Sequence, residues 1–595
     1  WVPFYVLRQL VPGADASAKA LAAKGLIEID RRTPVSAETA PAAPEPPPEP
    51  TADQQAVLNS IEPAIKAGRF APFLLHGVTG SGKTEIYLRA GRMALDAGRT
   101  AIILVPEIAL TPRLKALFTA RFGEAVALLH SGLSPGPRLN EWLRLLDGRA
   151  RIALGARSAL FAPLKNLGLI VVDEEHEPSY KQEEGLRYQA RDAALYRGRM
   201  SRTVVILGSA TPSVVSFEHV RQGKYQGLSL PSRIQARPLP QVEVVDLRQE
   251  EEEGGGQGGM VIFSKRLIEV AGEELERGQQ CLFFLNRRGF ASFPLCGSCG
   301  RPFACPNCSV TMTWHARFGA LVCHYCGLAR PLDECPRCHS QKPRLLGLGT
   351  ERVQEEAGRI FAGANIARLD SDTAGGVRNL ERVFDDLAKG AIDILIGTQM
   401  LAKGHDFPGI SLVGVILADL SMNHPDFRAT ERTFQLLTQV AGRAGRGERP
   451  GRVIIQTFNP DHYSLKTAAS HDYAGFFAQE KAFRDQLFYP PASRLIQINL
   501  AGPDLNKVRE AARLAANLAR QAAASLRPKA KLVVIGPAPA PVVKVKNRFR
   551  FLFLIKAATA AAGQALLDDL LPLLAGAAEL RGTSLSVDVD PMGMG

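Results

Sequence analysis

Three short stretches carry residues whose types and spacing suit phosphate chemistry. The apolar run Phe73–His76 leads into Gly77, Val78, Thr79, Gly80, Ser81, Gly82, Lys83 and Thr84, and a helical pattern follows. A glycine-rich turn between a strand and a helix lets backbone amides wrap a phosphate at the positive end of the helix dipole. Lys83 is expected to reach the β- and γ-phosphates of ATP, and Thr84 to bind Mg²⁺ through its hydroxyl. A second apolar run, Leu169–Val172, ends in Asp173, Glu174, Glu175 and His176. Asp173 would hold the same Mg²⁺, and Glu174 would orient or deprotonate the attacking water. The third stretch, from Gln439 to Arg446, holds Arg443 and Arg446, three apart and so on one face of a helix or turn. Placed on a second lobe, they can close on the γ-phosphate as arginine fingers and couple hydrolysis to lobe closure.

Eight of the nine cysteines lie between Cys296 and Cys338, all in C-x-x-C pairs. Eight thiolates make two tetrahedral Cys₄ sites, for two Zn²⁺. Sequential, nested and interleaved sharing of the four pairs are all open from spacing. The 14 residues between Cys308 and Cys323 approach ribbon spacing and favour one ion shared by Cys305, Cys308, Cys323 and Cys326. Cys296, Cys299, Cys335 and Cys338 then share the other. Filled by thiolates, the sites read as structural, with His315, His324 and His339 not needed as ligands. The ninth cysteine, Cys281, reads as core. Clustered C-x-x-C pairs suit a reducing cytoplasm.

Directly after the acidic strand end, tyrosines interleave with cations: Tyr180, Lys181, Arg187 and Tyr188. Such rings can stack on unpaired bases while the cations meet phosphates. A second basic and aromatic run includes Lys544, Lys546, Arg548 and Arg550, and its alternation suggests a strand with a basic face. The whole chain agrees in sign, with 72 basic against 59 acidic residues, a net charge of +13.

The elements that must position these residues form an α/β pattern. Near-continuous apolar runs at Phe73–His76, Ala101–Val105, Leu169–Val172 and Val204–Leu207 fit parallel strands covered on both faces. A second series follows at Cys281–Leu285, Ile392–Ile396, Val413–Leu417 and Arg452–Thr457. Two tandem RecA-like P-loop lobes are expected, at 51–230 and at 231–295 with 340–485. The cysteine block 296–339 would be inserted in the second, and a C-terminal α+β domain spans 486–595. Residues 33–50, rich in Pro, Ala and Glu, read as a stiff linker, and Glu250–Gly259 as an exposed loop. Residues 1–32 suggest a small helix-and-strand module. The chain opens on Trp1 with no secretion leader after it, which suggests a fragment or a processed start. No apolar run reaches the length of a membrane span.

In order, these segments resemble superfamily 2 helicases: Gln54, the P-loop, Gly155–Ala159, Asp173–His176, Gly208–Pro212, Gly397–Gly404 and Gln439–Arg446. Within that superfamily the chain from about 51 onward resembles the PriA family, through Leu285–Gly289, Gly347–Arg352, Asp370–Thr373, Gly404–Phe407, Tyr489–Pro491 and Val587–Asp590. The resemblance implies that Gln54 contacts adenine, Thr211 transmits hydrolysis to DNA, Asp419 lies near the nucleotide and Arg157 contacts DNA. It implies the nested zinc pairing, and an aromatic-rich loop that couples single-strand binding to hydrolysis. Lys544 and Arg548 are further DNA candidates. One departure is Ala156, where the family usually has threonine. The first 32 residues resemble the end of a winged helix, so the family's 3′-end-binding domain is not carried over.

The expected activity is a 3′→5′ DNA helicase on branched or forked DNA that starts primosome assembly and replication restart in the bacterial cytoplasm, at the nucleoid. The resemblance implies as partners single-stranded DNA, the single-stranded DNA-binding protein, primosomal accessory proteins and the replicative helicase with its loader, and no membrane. Two alternatives are a translocase on duplex that does not separate strands, and a zinc-bearing scaffold with secondary ATPase activity.

Overall fold

The computed structural model describes residues 14–27, 48–106, 112–234, 239–253, 261–286, 293–315, 319–341, 343–346, 348–370, 377–398, 401, 409–444, 451–526 and 529–593. The first lobe is a seven-stranded parallel sheet. Its strands are β1 (Ala71–Gly77), β2 (Thr100–Leu104), β3 (Val126–Leu129), β4 (Ile152–Gly155), β5 (Leu167–Asp173), β6 (Val204–Ser209) and β7 (Gln226–Leu230). The spatial order β3-β4-β2-β5-β6-β1-β7 sets β1 and β5 on either side of β6, so their carboxyl ends open on one crevice. Leu74, Ile102, Ile170 and Leu207 pack on one face of this sheet; Phe73, Ile103, Val171 and Ile206 pack on the other. Burial on both faces is why these strands read as unbroken apolar runs.

The chain continues with β8 (Gln241–Asp246) and β9 (Gln280–Phe284). It then enters the cysteine insertion, with β10 (Phe293–Cys296), β11 (Thr313–His315), β12 (Ala320–Val322), β13 (Ala329–Arg330) and β14 (Pro343–Leu346). It returns through β15 (Ile366–Leu369), β16 (Ile394–Gly397), β17 (Ile410–Val415) and β18 (Arg452–Thr457). The second sheet has the order β15-β16-β9-β17-β18-β8, all parallel. Antiparallel pairing of β10 with β14 closes the insertion at its base, so it leaves and rejoins lobe 2 at one place.

The C-terminal domain is an antiparallel sheet of β19 (Arg494–Gly502), β20 (Leu532–Val545), β21 (Arg548–Ala557) and β22 (Ser584–Val589), in the order β20-β21-β19-β22. The helices Leu505–Ser525 and Ala560–Gly576 cover one face. The alanine row Ala511, Ala512, Ala515, Ala516 and Ala519 lets the first helix lie close on that sheet. Of the expected N-terminal module, the helix Ala14–Ala23 is described; most of the linker lies outside the described residues. Leu247–Glu253 is helical, which corrects the expected loop over residues 250–253; the remainder of that stretch, 254–259, lies outside the described residues. Among the described residues no helix is long and apolar enough to cross a membrane.

Candidate nucleotide and nucleic-acid site

The phosphate loop is held shut by its own side chains. Lys83 Nζ donates to Gly77 O at 2.8 Å, and the helix Lys83–Asp96 begins at Lys83 itself. Gly82 is the helix cap with φ 82°, and a Cβ there would lie 2.3 Å from Gln54 Nε2, so both conformation and crowding demand glycine. Gln54 is tied twice. Its Oε1 accepts from Thr51 N at 3.0 Å in a capping box, and its Nε2 donates to Ser81 O at 3.2 Å. Gln54, which completes the capping box of the helix Ala52–Ala67, thereby also braces the loop.

Asp173 ends β5 beside this loop. Tyr87 OH donates to its Oδ1 at 2.8 Å. Burial, followed by the neighbouring Glu174 charge, pushes the Asp173 carboxyl up to about 6, while Lys83 pulls the other way. Glu174 adopts a left-handed φ of 47°. Its Oε2 is buried without a hydrogen-bond partner among the described residues and lies 3.6 Å from His176 Nδ1. Such an orphaned carboxylate oxygen suits a water as its missing partner. Glu175 is fully buried and turned away. It accepts from Ser213 N at 2.6 Å, Ser216 Oγ at 2.8 Å, Ser213 Oγ at 3.2 Å and Arg191 Nη1 at 3.2 Å.

Lobe 2 reaches this crevice through the helix Ala429–Ala441. Gln439 Nε2 pairs with His176 Nε2 at 3.1 Å, and His176 Nδ1 with Ser209 Oγ at 2.8 Å. Glu431 Oε1 accepts from Val214 N at 2.8 Å, Gln435 Nε2 donates to Thr211 O at 3.4 Å, and Tyr473 OH donates to Pro212 O at 2.8 Å. At the end of the same helix, a Cβ added to Gly442 would lie 2.8 Å from Thr79 Cγ2, so Arg443 follows a residue pressed on the phosphate loop. Arg446 lies outside the described residues. Asp419 is inside lobe 2, fully buried and raised to about 6 by desolvation; its Oδ2 accepts from Phe458 N at 3.0 Å.

The expected DNA loop is differently disposed from its sequence reading. Tyr180 is a core residue, not a surface ring, and its hydroxyl donates to Asp173 O at 2.7 Å. Lys181 is buried too, 2.6 Å from Asp588 Oδ1 of the C-terminal domain. Arg187 Nη1 donates to Ser586 Oγ at 3.1 Å. Arg157 donates to Ser179 O at 3.1 Å and to Lys181 O. Half-buried Tyr188 meets Phe161 edge-on at 5.1 Å, and Phe161 is itself exposed. Phe161 was not singled out in the sequence; an aromatic four residues after Arg157 was the available signal. Leu186 stands out at 81% exposed.

The basic face expected from Lys544 to Arg550 is also corrected. A two-residue turn at Lys546 and Asn547, both left-handed, folds that run into a hairpin. Lys544 pairs with Phe549 and Val545 with Arg548, so Lys544 and Arg548 project from opposite faces. Both stay exposed at the tip.

The cysteines form two groups, Cys296, Cys299, Cys335 and Cys338, and Cys305, Cys308, Cys323 and Cys326. This is the nested arrangement. Sγ separations of 3.5, 3.6 and 3.8 Å match the edge of a tetrahedron around zinc, about 3.8 Å for Zn–S bonds of about 2.3 Å. All four pairs use one device. The residue after each second cysteine (Gly300, Ser309, Gly327 and His339) is left-handed, and its N–H returns to the first cysteine's carbonyl at 2.8–3.0 Å. His339 is thus a backbone-turning residue. His315 and His324 pair with each other, Nε2 to Nε2 at 3.1 Å.

Family models match along the same divisions. Residues 51–219 match the DEAD/DEAH box helicase model and 343–448 the helicase conserved C-terminal domain. Residues 305–331 match the PriA DNA helicase Cys-rich region, and 485–592 the primosomal protein N C-terminal domain. Replication restart protein PriA of Rickettsia felis is 39% identical over 469 residues, 78% of this chain and 70% of that protein. The chain belongs to the PriA family. The PriA of Bacillus subtilis is 45% identical over 458 residues, covering 77% of this chain and 56% of its own length. That of Synechocystis is 41% identical over 543 residues, covering 89% and 64%. The chain thus spans between about half and two thirds of the length of these two curated relatives. The PriA Cys-rich model includes all four cysteines of the inner group.

Proposed function

We propose that this chain is an ATP-driven 3′→5′ DNA helicase that acts on branched DNA in replication restart. The observation that carries the motor reading is the contact of the Gln439–Arg443 segment with both His176 and Thr79. One helix end of lobe 2 touches the acidic strand end and the phosphate loop of lobe 1 together. A change in the phosphates is thereby felt across the crevice, which a motor needs. The restart role is supported by the PriA relatives, named as replication restart proteins, and polarity and fork preference by the resemblance of the motifs to that family.

In this reading Lys83 leaves Gly77 O to meet the β- and γ-phosphates, while the amides of 79–83 hold the remaining oxygens. Thr84 and Asp173 would hold Mg²⁺, which when bound neutralises charge on the β- and γ-oxygens. Glu174 accepts the proton of the attacking water at its orphaned Oε2. Arg443, with Arg446, meets the charge that develops on the transferred phosphoryl group. Gln54 reads adenine from the side of the loop it braces. Asp419 stays inside lobe 2 and supports the end of β18. Tyr188, with Phe161 beside it, offers rings to unpaired bases, and Arg187, Lys544 and Arg548 offer cations to phosphates, joined by Lys181 once its contacts with β22 are broken. Each cysteine group takes one Zn²⁺, which holds the insertion together as a surface for DNA or for the single-stranded DNA-binding protein and primosomal partners.

ATP hydrolysis with and without a synthetic fork, beside a strand-displacement assay, tests this. Fork-stimulated hydrolysis with displacement is expected. Hydrolysis indifferent to DNA would refute the motor, and stimulation without displacement would leave a duplex translocase.

A further inference from the structure

The loop that follows the catalytic strand end is occupied by the last strand of the chain. Lys181 has a side chain only 1% exposed; its Nζ lies 2.6 Å from Asp588 Oδ1 and donates to Val589 O at 2.7 Å and to Asp590 O at 3.2 Å. Arg187 Nη1 donates to Ser586 Oγ at 3.1 Å and to Val587 O at 3.5 Å. β22 is the edge strand of its sheet and, among the described residues, pairs only with β19, which leaves its outer row of acceptors for these two cations. A carboxylate among carbonyl oxygens offers an ammonium and a guanidinium what a phosphodiester offers: one negative charge with neutral acceptors beside it.

The same terminal segment also grips lobe 2. Arg432, on the helix that carries Gln439, donates to Met592 O, while within the C-terminal domain Arg494 Nη1 of β19 lies 3.2 Å from Asp590 Oδ2 and holds the segment to its own sheet. Residues 586–592 therefore span from lobe 1 to lobe 2. The other end of the loop is fixed to the chemistry, because Tyr180 OH donates to the carbonyl of Asp173.

We propose that β22 is an intramolecular competitor for the DNA-contact loop, a latch that single-stranded DNA displaces when it stimulates hydrolysis. The proposal rests on the DNA-coupled reading of this loop given above. Lys181 cannot meet a phosphate while it is enclosed by Asp588, Val589 and Asp590, so the two partners exclude each other. Release of Lys181 frees the chain one residue from Tyr180, which holds the strand end bearing Asp173. DNA binding is thereby converted into movement at the metal-holding acid.

The test uses the full chain with Asp588→Asn and, as a milder change, Ser586→Ala. ATP turnover is measured without DNA and against single-stranded oligonucleotide concentration, and trypsin cleavage after Lys181 and Arg187 is timed without DNA. A coupling of about 1 kcal/mol corresponds to roughly 5-fold. Asp588→Asn is expected to raise DNA-free turnover about 5-fold, lower the half-saturating oligonucleotide concentration by a similar factor, and speed cleavage. Ser586→Ala is expected to shift all three about 2-fold, and it decides the matter if Asp588→Asn does not fold. DNA-stimulated wild type with unmoved variants, or variants whose DNA-free turnover falls, would overturn the latch alone. Wild-type turnover indifferent to DNA would remove the functional reading and the latch with it.

Discussion

Gln439 of lobe 2 and His176 of lobe 1 meet through Nε2 atoms 3.1 Å apart, both side chains buried. Since the amide N–H donates, the imidazole must accept at Nε2 and carry its proton on Nδ1, where Ser209 Oγ lies 2.8 Å away. Ser209 Oγ in turn accepts from Thr211 N at 2.9 Å. The pair is thus the middle of a chain that runs from the lobe 2 helix, through the residue beside Glu174, to the backbone of Gly208–Pro212.

Removing one member of this chain should uncouple the lobes more than it weakens nucleotide binding. A buried hydrogen bond left half-made costs about 1–3 kcal/mol. Gln439→Ala is therefore expected to lower DNA-stimulated turnover about 10-fold while the Kd for a fluorescent ATP analogue changes less than 2-fold. Steady-state kinetics beside an analogue titration checks this. An equal loss in both quantities would mean that Gln439 only shapes the nucleotide pocket.

Lys83 rests on Gly77 O in the closed loop, and that contact is within hydrogen-bonding range but only part-buried. Its removal should cost the fold little, about 1 kcal/mol or less, and the chemistry much. Lys83→Ala is expected to cut ATP turnover at least about 100-fold, with a melting temperature within a few degrees of wild type by circular dichroism. Retained turnover would contradict the role given to the loop.

Asp173 makes the opposite combination. Its carboxyl is raised to about 6 against an ordinary 3.8, so the folded state holds the proton more tightly than the unfolded chain does. A raised acid destabilises the fold at neutral pH, and the penalty fades as pH falls from about 6 towards about 4. Asp173→Asn keeps an acceptor for Tyr87 OH and removes the charge. In EDTA at pH 7 it is expected to stabilise the protein by roughly 1–2 kcal/mol while abolishing turnover. Urea melts at pH 7 and pH 5 check the sign, since the gap between variant and wild type should narrow at the lower pH. A destabilised variant at pH 7 would show that the carboxylate holds structure.

The lobes, their strands and the phosphate loop were legible because strands buried on both faces must be apolar throughout, and a glycine turn between strand and helix has few other uses. The cysteine pairs were legible because their spacing is local. The sequence misled where a side chain's neighbour lies far along the chain. Lys181 and Arg187 read as cations for phosphate because their partners in β22, which enclose Lys181, are some 400 residues away. Tyr180 read as a stacking ring because periodicity in a loop does not tell inside from outside. The run from Lys544 to Arg550 read as one strand because its alternation continues through a turn made by Lys546 and Asn547, without the glycine that marks most such turns. Glu175 and Glu431 were passed over because a buried carboxylate is recognised by its donors, and theirs lie on other elements.

The two cysteine groups differ in depth, and this predicts unequal consequences of losing each. Cys305, Cys308 and Cys323 are buried with Phe303, Met312 and Tyr325, against Tyr489, Leu552 and Leu554 of the C-terminal segment, and Tyr489 OH donates to Cys308 O at 3.3 Å. Cys338 is exposed. Loss of the inner group therefore opens an interface between the insertion and the C-terminal domain, whereas loss at Cys338 loosens the outer end. Wild-type protein should release two zinc ions per chain to a colorimetric chelator after denaturation. Cys305→Ser and Cys338→Ser should each release about one. Cys305→Ser is expected to lower the melting temperature more than Cys338→Ser does, because ligand loss there also unseats buried apolar surface. Equal losses of stability would show that the inner group does not carry the domain contact, and one ion per chain in wild type would refute the paired sites.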